Sequence, residues 1–255
     1  MMRFSVLASG SRGNACWVET DQTGLLIDAG LSCSECMKRL KTLGVDPARL
    51  KGIVITHEHI DHIRGAGVLA RRLGVPVYLN SATLRKGMAT LGDIARPVII
   101  RTGQSLTVKD VLLETFTKCH DAADPMGILI TCEGVRLGLI TDLGRSTPVV
   151  ESRLKGCHAL VIEFNHDERM LEEGPYPLEI KRRIRGPDGH LSNAQAKTLL
   201  KALSHEDLSV VVLAHLSEKN NLPEKALKMS VSALGRAGTK VVVGSQEIPT
   251  PLIHL

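Results

Sequence analysis

The chain has 255 residues, of which 43% are hydrophobic and 23% are charged, a composition typical of a globular protein with a sizeable core. No apolar stretch approaches the roughly 20 residues that a membrane-spanning helix needs, and Met1–Asn14 lacks the apolar core of a signal peptide. The net charge of +5 permits an anionic partner without requiring one. We therefore expect a cytoplasmic protein without a membrane partner. The absence of a low-complexity linker predicts one domain over residues 1–255.

Short apolar runs alternate with helical patterns along the chain and predict its secondary structure. The predicted strands are Phe4–Ala8, Ala15–Glu19, Leu25–Asp28, Gly52–Thr56, Val75–Tyr78, Val98–Ile100, Val111–Lys118, Gly127–Thr131, Arg136–Thr141, Leu160–Glu163, Ser209–Ala214 and Lys240–Val243. The predicted helices are Cys33–Leu43, Ile63–Leu73, Ala82–Leu91, Pro177–Arg185, Asn193–Leu203 and Pro223–Arg236. Strand-rich segments precede helix-bearing segments twice, which hints at a duplication. Two β-rich layers with helices outside predict an α/β fold of four layers, an αββα sandwich.

The six cysteines lie mostly in or beside the apolar runs, which is typical of reduced and buried thiols. Cys33 and Cys36 form a CxxC at a predicted helix start, where a thiol could be activated. Because the chain contains no second CxxC, a structural role is favoured over a redox role.

Candidate metal ligands stand at the ends of four apolar runs. They are His57, His59, Asp61 and His62 in the block HEHIDH, followed later in the chain by His120, Asp142 and His215. In an extended segment, side chains two residues apart face the same way, so His57 and His59 can bind one ion together. Asp61 and His62 follow a turn toward the next predicted helix and can bind a second ion. A histidine-rich loop without a metal is the alternative interpretation of the block.

These residues predict a dinuclear centre in which Asp142 bridges the two ions, since one carboxylate can reach both. The first ion is assigned to His57, His59, His120 and Asp142, and the second to Asp61, His62, Asp142 and His215. Imidazole and carboxylate ligands suit zinc, with manganese or iron as further possibilities. Asp28 also ends an apolar run and is expected to orient the metal loop by hydrogen bonding. Simple turn chemistry is its alternative.

The HEHIDH block, together with His120, Asp142 and His215, resembles the metallo-β-lactamase superfamily over nearly the whole chain. Asp142 and Asp61 are similar to the aspartates of its phosphodiesterase and glyoxalase II branches. The drug-hydrolysing lactamases, in contrast, typically have a cysteine ligand. Six blocks in order resemble the YycJ-like (WalJ-like) subgroup: LASGSRGN, THEHIDHIRG, HDAADPMG, FNHDERML, KRRIRGPDGHLSN and AHLSEKNN. That subgroup is associated with 5′–3′ exonuclease activity on DNA. The resemblance therefore implies a nucleic-acid substrate, with DNA favoured over RNA.

The predicted reaction uses a hydroxide activated by two metal ions about 3.5–4 Å apart, which also stabilise charge on a phosphoryl oxygen. Asp61 is placed to orient that hydroxide while it binds its own ion. His190 follows a glycine-containing turn and is the candidate acid for the leaving oxygen. Relatives similar to this chain place a histidine of this kind beside the scissile phosphate. Glu163 could polarise the His190 ring. The alternative role for His190 is to cap the helix that follows it.

Predicted substrate contacts surround these catalytic candidates. They are Ser11, Arg12 and Asn14 in a glycine-containing loop, Asn165 in the loop that also carries His166, Lys181, Arg182 and Arg183 in the densest basic run, and Ser192 and Asn193 after His190. A plain turn is the alternative for the first loop, and a solvated helix face is the alternative for the basic run. One Trp, two Tyr and three Phe are too few for a base-stacking platform, so phosphate contacts are expected.

The leading hypothesis is a metal-dependent hydrolase of phosphodiester bonds, most specifically a 5′–3′ DNA exonuclease. The first alternative is a hydrolase of small esters, thioesters or cyclic phosphodiesters with the same dinuclear site. The basic run discriminates between them, because a small substrate does not need an extended cationic track. The second alternative is a regulator that keeps the metal for structure or sensing. An open rim argues against it, because structural metal sites are usually closed. No oligomeric state is predicted.

Overall fold

Two seven-stranded sheets face each other in the computed structural model, which describes residues 1–235 and 238–255. In chain order the strands are β1 (Arg3–Ala8), β2 (Ala15–Glu19), β3 (Gly24–Ile27), β4 (Leu50–Val54), β5 (Val77–Leu79), β6 (Pro97–Ile99), β7 (Ser105–Val108), β8 (Val111–Thr117), β9 (Met126–Cys132), β10 (Val135–Ile140), β11 (Ala159–Glu163), β12 (Val210–Ala214), β13 (Lys240–Val243) and β14 (Ile253–His254). The first sheet has the order β14-β1-β2-β3-β4-β5-β6, and the second has β13-β12-β11-β10-β9-β8-β7.

Helices cover the outer faces of both sheets. They are α1 (Cys33–Thr42), α2 (Ile60–Ile63), α3 (Ala66–Leu73), α4 (Ser81–Leu91), α5 (Pro148–Leu154), α6 (Glu168–Glu173), α7 (Leu178–Arg185), α8 (Asn193–Leu203) and α9 (Pro223–Leu234), with a 3-10 turn at Pro47–Arg49. The predicted end of the last helix, Arg236, lies outside the described residues. Within the part of the chain that the structure describes, no helix is long and apolar enough to cross a bilayer.

Both sheets change from antiparallel to parallel pairing along the chain. In the first sheet β1 to β3 are antiparallel and β3 to β6 are parallel. In the second sheet β7 to β10 are antiparallel and β10 to β13 are parallel. This repeated order agrees with the duplication that the sequence suggests. It also gathers the carboxyl ends of several parallel strands at one end of the sandwich.

Three apolar clusters fill the spaces between these layers. One lies between the sheets and includes Phe4 and Ile128, and a second packs α1 and α3 on the first sheet around Trp17. The third packs α8 and α9 on the second sheet around residues such as Phe164 and Leu199. Full burial of each such side chain stabilises the fold by about 1.5–3 kcal/mol. The four layers confirm the predicted αββα sandwich.

The prediction of one continuous helix over Ile63–Leu73 is wrong, because the chain forms two helices, α2 and α3, on either side of Gly65. The Gly65 N–H donates to the carbonyl of Ala29 at 2.8 Å. A Cβ at Gly65 would lie 2.0 Å from the carbonyl oxygen of Leu31. This close approach of two backbones breaks the helix. Asp61 and His62 therefore lie inside the short helix α2 rather than before the helix.

Candidate metal centre

The structure brings together all seven side chains that the sequence proposes as ligands. Groups whose ligand atoms lie within 4.8 Å of one another are His57, His59 and His120; His57, His62 and Asp142; Asp61, His62 and His215; and Asp142, Glu163, His190 and His215. The segment after β4 supplies the HEHIDH block from the first sheet. The second sheet supplies His120 after β8, Asp142 after β10 and His215 after β12. The cluster thus lies at the strand ends and draws on both sheets.

Three residues at these strand ends have left-handed backbone conformations, which residues other than glycine rarely adopt. The φ angles are 59° for Asp28, 53° for Asp142 and 57° for His215. Such conformations cost about 1–3 kcal/mol each and persist only where neighbouring groups hold them. Here the Asp28 N–H donates to the Val54 carbonyl at 2.8 Å, and the His215 N–H donates to Ser9 Oγ at 2.6 Å. Backbone strain is therefore concentrated beside the cluster.

Four of the clustered histidines have their Nδ1 atoms beside oxygens of the protein. The pairs are His57 with Thr56 Oγ1 at 2.9 Å, His62 with Asp28 Oδ2 at 2.7 Å, His120 with the Gly189 carbonyl at 3.1 Å, and His215 with Glu163 Oε1 at 3.1 Å. Thr56 Oγ1 itself donates to Asp28 Oδ2 at 2.8 Å, so it accepts from His57. These acceptors hold the proton on Nδ1, so Nε2 is the atom of each ring that would bind a cation.

Several inward-facing atoms lack protein partners. Among the described residues, His57 Nε2, His215 Nε2 and Asp142 Oδ2 are buried without a hydrogen bond. An unsatisfied buried polar atom costs about 1–3 kcal/mol. In addition, His120 Nε2 and His59 Nδ1 lie 3.2 Å apart, which places two ring nitrogens side by side. Converging imidazole and carboxylate atoms of this kind fit divalent metal ions.

Burial and neighbouring charges set the protonation of the cluster. Burial lowers the pKa of His57 well below its ordinary value, so its ring is neutral at pH 7. Burial opposes ionisation of Asp142, but the nearby His215 and His62 rings outweigh it and hold the pKa of this carboxyl well below its usual range. Burial lowers the pKa of His215, but Asp142, Asp61 and Glu163 outweigh it and raise that pKa to about 10, so a divalent ion would bind this ring in place of a proton.

Glu163 lies beside both the candidate acid and one candidate ligand. Its buried carboxylate is 2.9 Å from His190 Nδ1 and 3.1 Å from His215 Nδ1. It also accepts from the backbone N–H groups of Asp142, Leu143 and Leu191 at 3.2, 3.0 and 3.0 Å. Burial alone would raise the pKa of Glu163, but the rings of His190 and His215 lower it to about 2. The contact with His215 was not indicated by the sequence.

His190 lies at the rim of the cluster. Its ring stacks on His215 with the centroids 5.1 Å apart, and its Nδ1 is 3.9 Å from Asp142 Oδ1. The His190 side chain is 16% exposed, whereas that of His215 is 5% exposed. His190 is thus the more accessible of these two histidines, and its ring is the one of the pair that a bound substrate would contact.

Two predicted substrate contacts hold the candidate ligands. Asn14 is buried, and its Nδ2 donates to Asp61 Oδ2 at 3.1 Å. Asn165 is also buried, and its Nδ2 donates to the His215 carbonyl at 2.9 Å. Their amides thus contact candidate ligands inside the protein, and the predicted substrate contacts of both residues stay predictions.

Ser192 and Asn193 do not fit the predicted substrate contact. Ser192 is buried, accepts from the Gln195 N–H at 3.2 Å and caps α8. Asn193 is buried against Asn221, to which its Nδ2 donates at 2.8 Å. Both side chains are occupied by structural hydrogen bonds at the start of this helix.

The loop containing Ser11 and Arg12 is exposed, but its cation is not free. Arg12 Nε donates to Glu218 Oε1 at 2.9 Å, and its guanidinium also pairs with Glu247. Two carboxylates therefore compete with the phosphate that the sequence assigns to Arg12. Exposed surface ion pairs are weak, so a bound polyanion could displace them.

The basic run lies on α7 and is partly paired. Lys181 Nζ donates to the Glu172 carbonyl at 2.5 Å, and Arg185 pairs with the Glu172 carboxylate. Arg183 Nε is 2.5 Å from Asp121 Oδ2, and Asp121 Oδ1 in turn lies 3.5 Å from His120 Nε2. Arg182 is exposed and has no carboxylate partner among the described residues. It is the cation of this run that is most available to a substrate.

Three residues that support the centre were not proposed from the sequence. Thr56 links His57 to Asp28, and Ser9 holds the backbone of His215. Lys118 is buried and donates from Nζ to the Thr141 carbonyl at 2.6 Å, one residue before Asp142. A lysine at the end of an apolar run, two residues before His120, was the available signal.

The two cysteines of the CxxC are buried and free. Burial raises the pKa of the Cys36 thiol to about 12, so the reactive thiolate is scarce at neutral pH. This placement agrees with the structural role favoured from the sequence.

Residues 23–216 match the sequence profile described as the β-lactamase superfamily domain. The chain belongs to the β-lactamase superfamily. Over 91% of its length it is 41% identical to the exodeoxyribonuclease YycJ of Bacillus anthracis, covering 88% of that protein. It is 34% identical to the exodeoxyribonuclease WalJ of Streptococcus pneumoniae, over 99% of this chain and 98% of the relative. The predicted family and its YycJ-like subgroup are confirmed.

The same fold occurs in a solved superfamily structure. The metallo-β-lactamase fold protein YhfI of Bacillus subtilis has a TM-score of 0.76 to this chain at 16% identity, with 98% of each chain covered. This similarity establishes the fold, and the relatives and the superfamily profile establish a metal-dependent hydrolase. The prediction of an enzyme is therefore confirmed.

Proposed function

We propose that this β-lactamase superfamily hydrolase is a DNA exonuclease with a dinuclear metal site and 5′–3′ polarity. The supporting structural observation is that all seven candidate ligand side chains converge, and that protein oxygens lie beside the Nδ1 atoms of four of the five histidines among them. The names of the two relatives, both exodeoxyribonucleases similar over nearly their whole length, support DNA as the substrate. The side chains of His59 and His190 are 29% and 16% exposed, so a strand end would reach the cluster beside them.

We assign His57, His59, His120 and Asp142 to one ion and Asp61, His62, Asp142 and His215 to the other, with zinc or manganese favoured and iron possible. Bound divalent ions supply an activated water and stabilise negative charge on a phosphoryl oxygen. Asp61 is held by the Asn14 amide at 3.1 Å, which orients its carboxylate toward the cluster.

His190 is assigned the proton transfer to the leaving oxygen. Its Nδ1 lies 2.9 Å from Glu163 Oε1, and this contact fixes the orientation of the ring and leaves Nε2 as the atom that would exchange a proton with the leaving oxygen. Glu163 remains ionised and holds the ring in place. Arg182, with Lys181 and Arg183 beside it on α7, is assigned contacts with the DNA backbone. Ser11 and Arg12, in the exposed loop between β1 and β2, are further candidates for contact with a phosphate.

A small-substrate hydrolase is the second candidate, because carboxylates pair with Arg12 and Arg183 at the rim. A site whose cations are already paired attracts a long polyanion less strongly than an array of free cations. The same centre would then hydrolyse small esters, thioesters or cyclic phosphodiesters.

An activity panel tests the proposal. With zinc- or manganese-loaded protein, we expect DNA labelled at the 5′ end to release its label before DNA labelled at the 3′ end does. We expect RNA to be cleaved more slowly than DNA. Single- and double-stranded substrates labelled at either end are run in parallel with bis(p-nitrophenyl) phosphate and a small thioester. Turnover confined to the small substrates would contradict the nuclease. Release of the 3′ label first would contradict the polarity alone.

Matched variants test the metal assignment in the same panel. His59→Ala and Asp142→Ala should each lower bound metal and DNA turnover together, because each removes a proposed ligand. His254→Gln, an exposed histidine on β14, serves as the control. Metal loss with unchanged turnover would contradict the mechanism.

A further inference from the structure

A pocket of about 380 Å³ adjoins the segment that carries His190. It is lined by His166, Glu168, Glu172, Arg185, Ser192 and Gln195. His166 and Ser192 form a parallel β-bridge, and Ser192 is only two residues beyond His190. A substrate held at His190 would therefore lie close in the chain to a residue that lines the pocket. Nothing in the proposed hydrolysis step uses these side chains.

His166 is the feature that marks this pocket as a binding site. It is 2% exposed, and its Nδ1 has no hydrogen-bond partner among residues 1–235 and 238–255. Burying such an atom without a partner costs about 1–3 kcal/mol, which a bound polar group would recover. Burial lowers the pKa of His166 to about 4, so at pH 7 the ring is neutral and provides one donor and one acceptor.

The charges around His166 restrict the class of ligand. Arg185 is paired with Glu172, and Glu168 accepts a hydrogen bond from Ser192 Oγ at 2.9 Å. Two carboxylates and one guanidinium leave the pocket wall with a net charge of about −1 when the imidazole is neutral. A phosphate would be repelled by the unpaired carboxylate. A neutral group with amino donors is attracted to it.

We propose that this pocket binds a nucleobase of the DNA strand held at His190, and that Glu168 selects bases carrying an amino group. A nucleobase is neutral and planar, and it has donors and acceptors side by side, which matches the His166 ring and the Glu168 carboxylate. Carboxylates accept hydrogen bonds from the exocyclic amino group of cytosine, whereas thymine has no such group. The pocket volume lies within the range of small-molecule sites. The inference rests on the proposed DNA substrate.

Ligand titration tests the pocket directly, without turnover. Zinc-loaded protein labelled in its histidine rings is titrated by NMR with dCMP, dTMP, deoxyribose 5-phosphate and inorganic phosphate. We expect dCMP to shift the His166 ring signals saturably and about 10-fold more tightly than dTMP, the discrimination typical of one base-edge hydrogen-bond pair. Deoxyribose 5-phosphate and inorganic phosphate should leave those signals in place. Equal shifts with the base-free phosphates would overturn the nucleobase assignment in favour of a phosphate site.

Substrate preference provides the second readout. Wild-type protein should degrade oligo(dC) about 10-fold more efficiently than oligo(dT), and Glu168→Gln should bring the kcat/KM ratio close to one. Glu168 is exposed, so this substitution is compatible with folding, and His166→Phe should likewise bring the kcat/KM ratio close to one. His254→Gln should keep the wild-type ratio. A ratio unaffected by Glu168→Gln would overturn the proposal.

The two proposals fail in different ways. Hydrolysis of bis(p-nitrophenyl) phosphate by wild-type protein needs the metal centre and no nucleobase. If wild-type protein cleaves this ester and DNA but shows no base preference, only the pocket assignment is overturned. If it cleaves the ester and no DNA, the proposed nuclease fails, while the NMR titration still reports on the pocket.

Discussion

Glu163 connects the candidate acid, one candidate ligand and the backbone of a second ligand. Its two oxygens face His190 and His215 and accept from the N–H of Asp142. Because all three contacts converge on one buried side chain, a change there should disturb proton transfer and metal geometry together. The residue belongs to the last position of β11, where a rigid strand fixes its placement.

Glu163→Gln should lower kcat about 10–100-fold, the range typical of groups that orient metal ligands. The amide keeps the shape of the side chain, but its NH2 group cannot accept from the N–H donors that face it. Bound zinc, measured by mass spectrometry, should fall less than in Asp142→Ala. Glu224→Gln, at an exposed position in the first turn of α9, is the control. Wild-type kcat in Glu163→Gln would show that the contact with His190 does not support catalysis.

The ligands were predictable from the sequence, whereas the residues that hold them were not. His57, His59 and His62 stand together in one block, so their spacing alone indicates a site. Asn14 contacts Asp61 across 47 positions, and Glu163 contacts His215 across 52. Each contact joins segments that are distant in the chain but belong to one sheet, so it follows from the order of the strands and leaves no local pattern in the sequence.

Among the elements, α7 presents the cation most available to DNA. Arg182→Glu should raise KM for a long single-stranded oligonucleotide several-fold at low salt and leave hydrolysis of bis(p-nitrophenyl) phosphate unchanged. Loss of about one phosphate contact should also reduce the slope of log(kcat/KM) against log[salt] by about 0.7. Lys51→Glu, an exposed residue at the opposite end of β4, is the matched control. An equal change in both variants would indicate a general effect of net charge.

Most strands were predictable from their apolar runs, but two strands and two helices were not. Each predicted strand overlaps an observed one, but β7, β14, α5 and α6 were absent from the prediction. The two residues of β14 pair with β1 across almost the whole chain, as Arg3 with His254, so no local signal exists. For α5 a signal was present, since Thr147 caps the helix and Pro148 begins it.

At the scale of the whole molecule, the candidate metal centre joins the two sheets. The HEHIDH block follows β4 of the first sheet, and His215 follows β12 of the second. His215 Nε2 lies 3.6 Å from Asp61 Oδ2, so ligands from the two halves are in direct contact. A cation bound at this point favours the folded state alone, because the unfolded chain separates these ligands widely.

Chelation should therefore lower the thermal unfolding temperature of the protein by roughly 5–10 °C. A ligand at 100 times its Kd stabilises the folded state by about 2.7 kcal/mol, and each kcal/mol shifts Tm by about 2–4 °C in a chain near this size. Calorimetry of zinc-loaded, EDTA-treated and zinc-restored protein measures the effect. Asp142→Ala should show little further decrease on chelation, whereas His254→Gln should decrease as the wild type does. Identical Tm values for loaded and chelated wild-type protein would mean that the cluster does not bind its ions in the folded state, because binding selective for that state must raise its unfolding temperature.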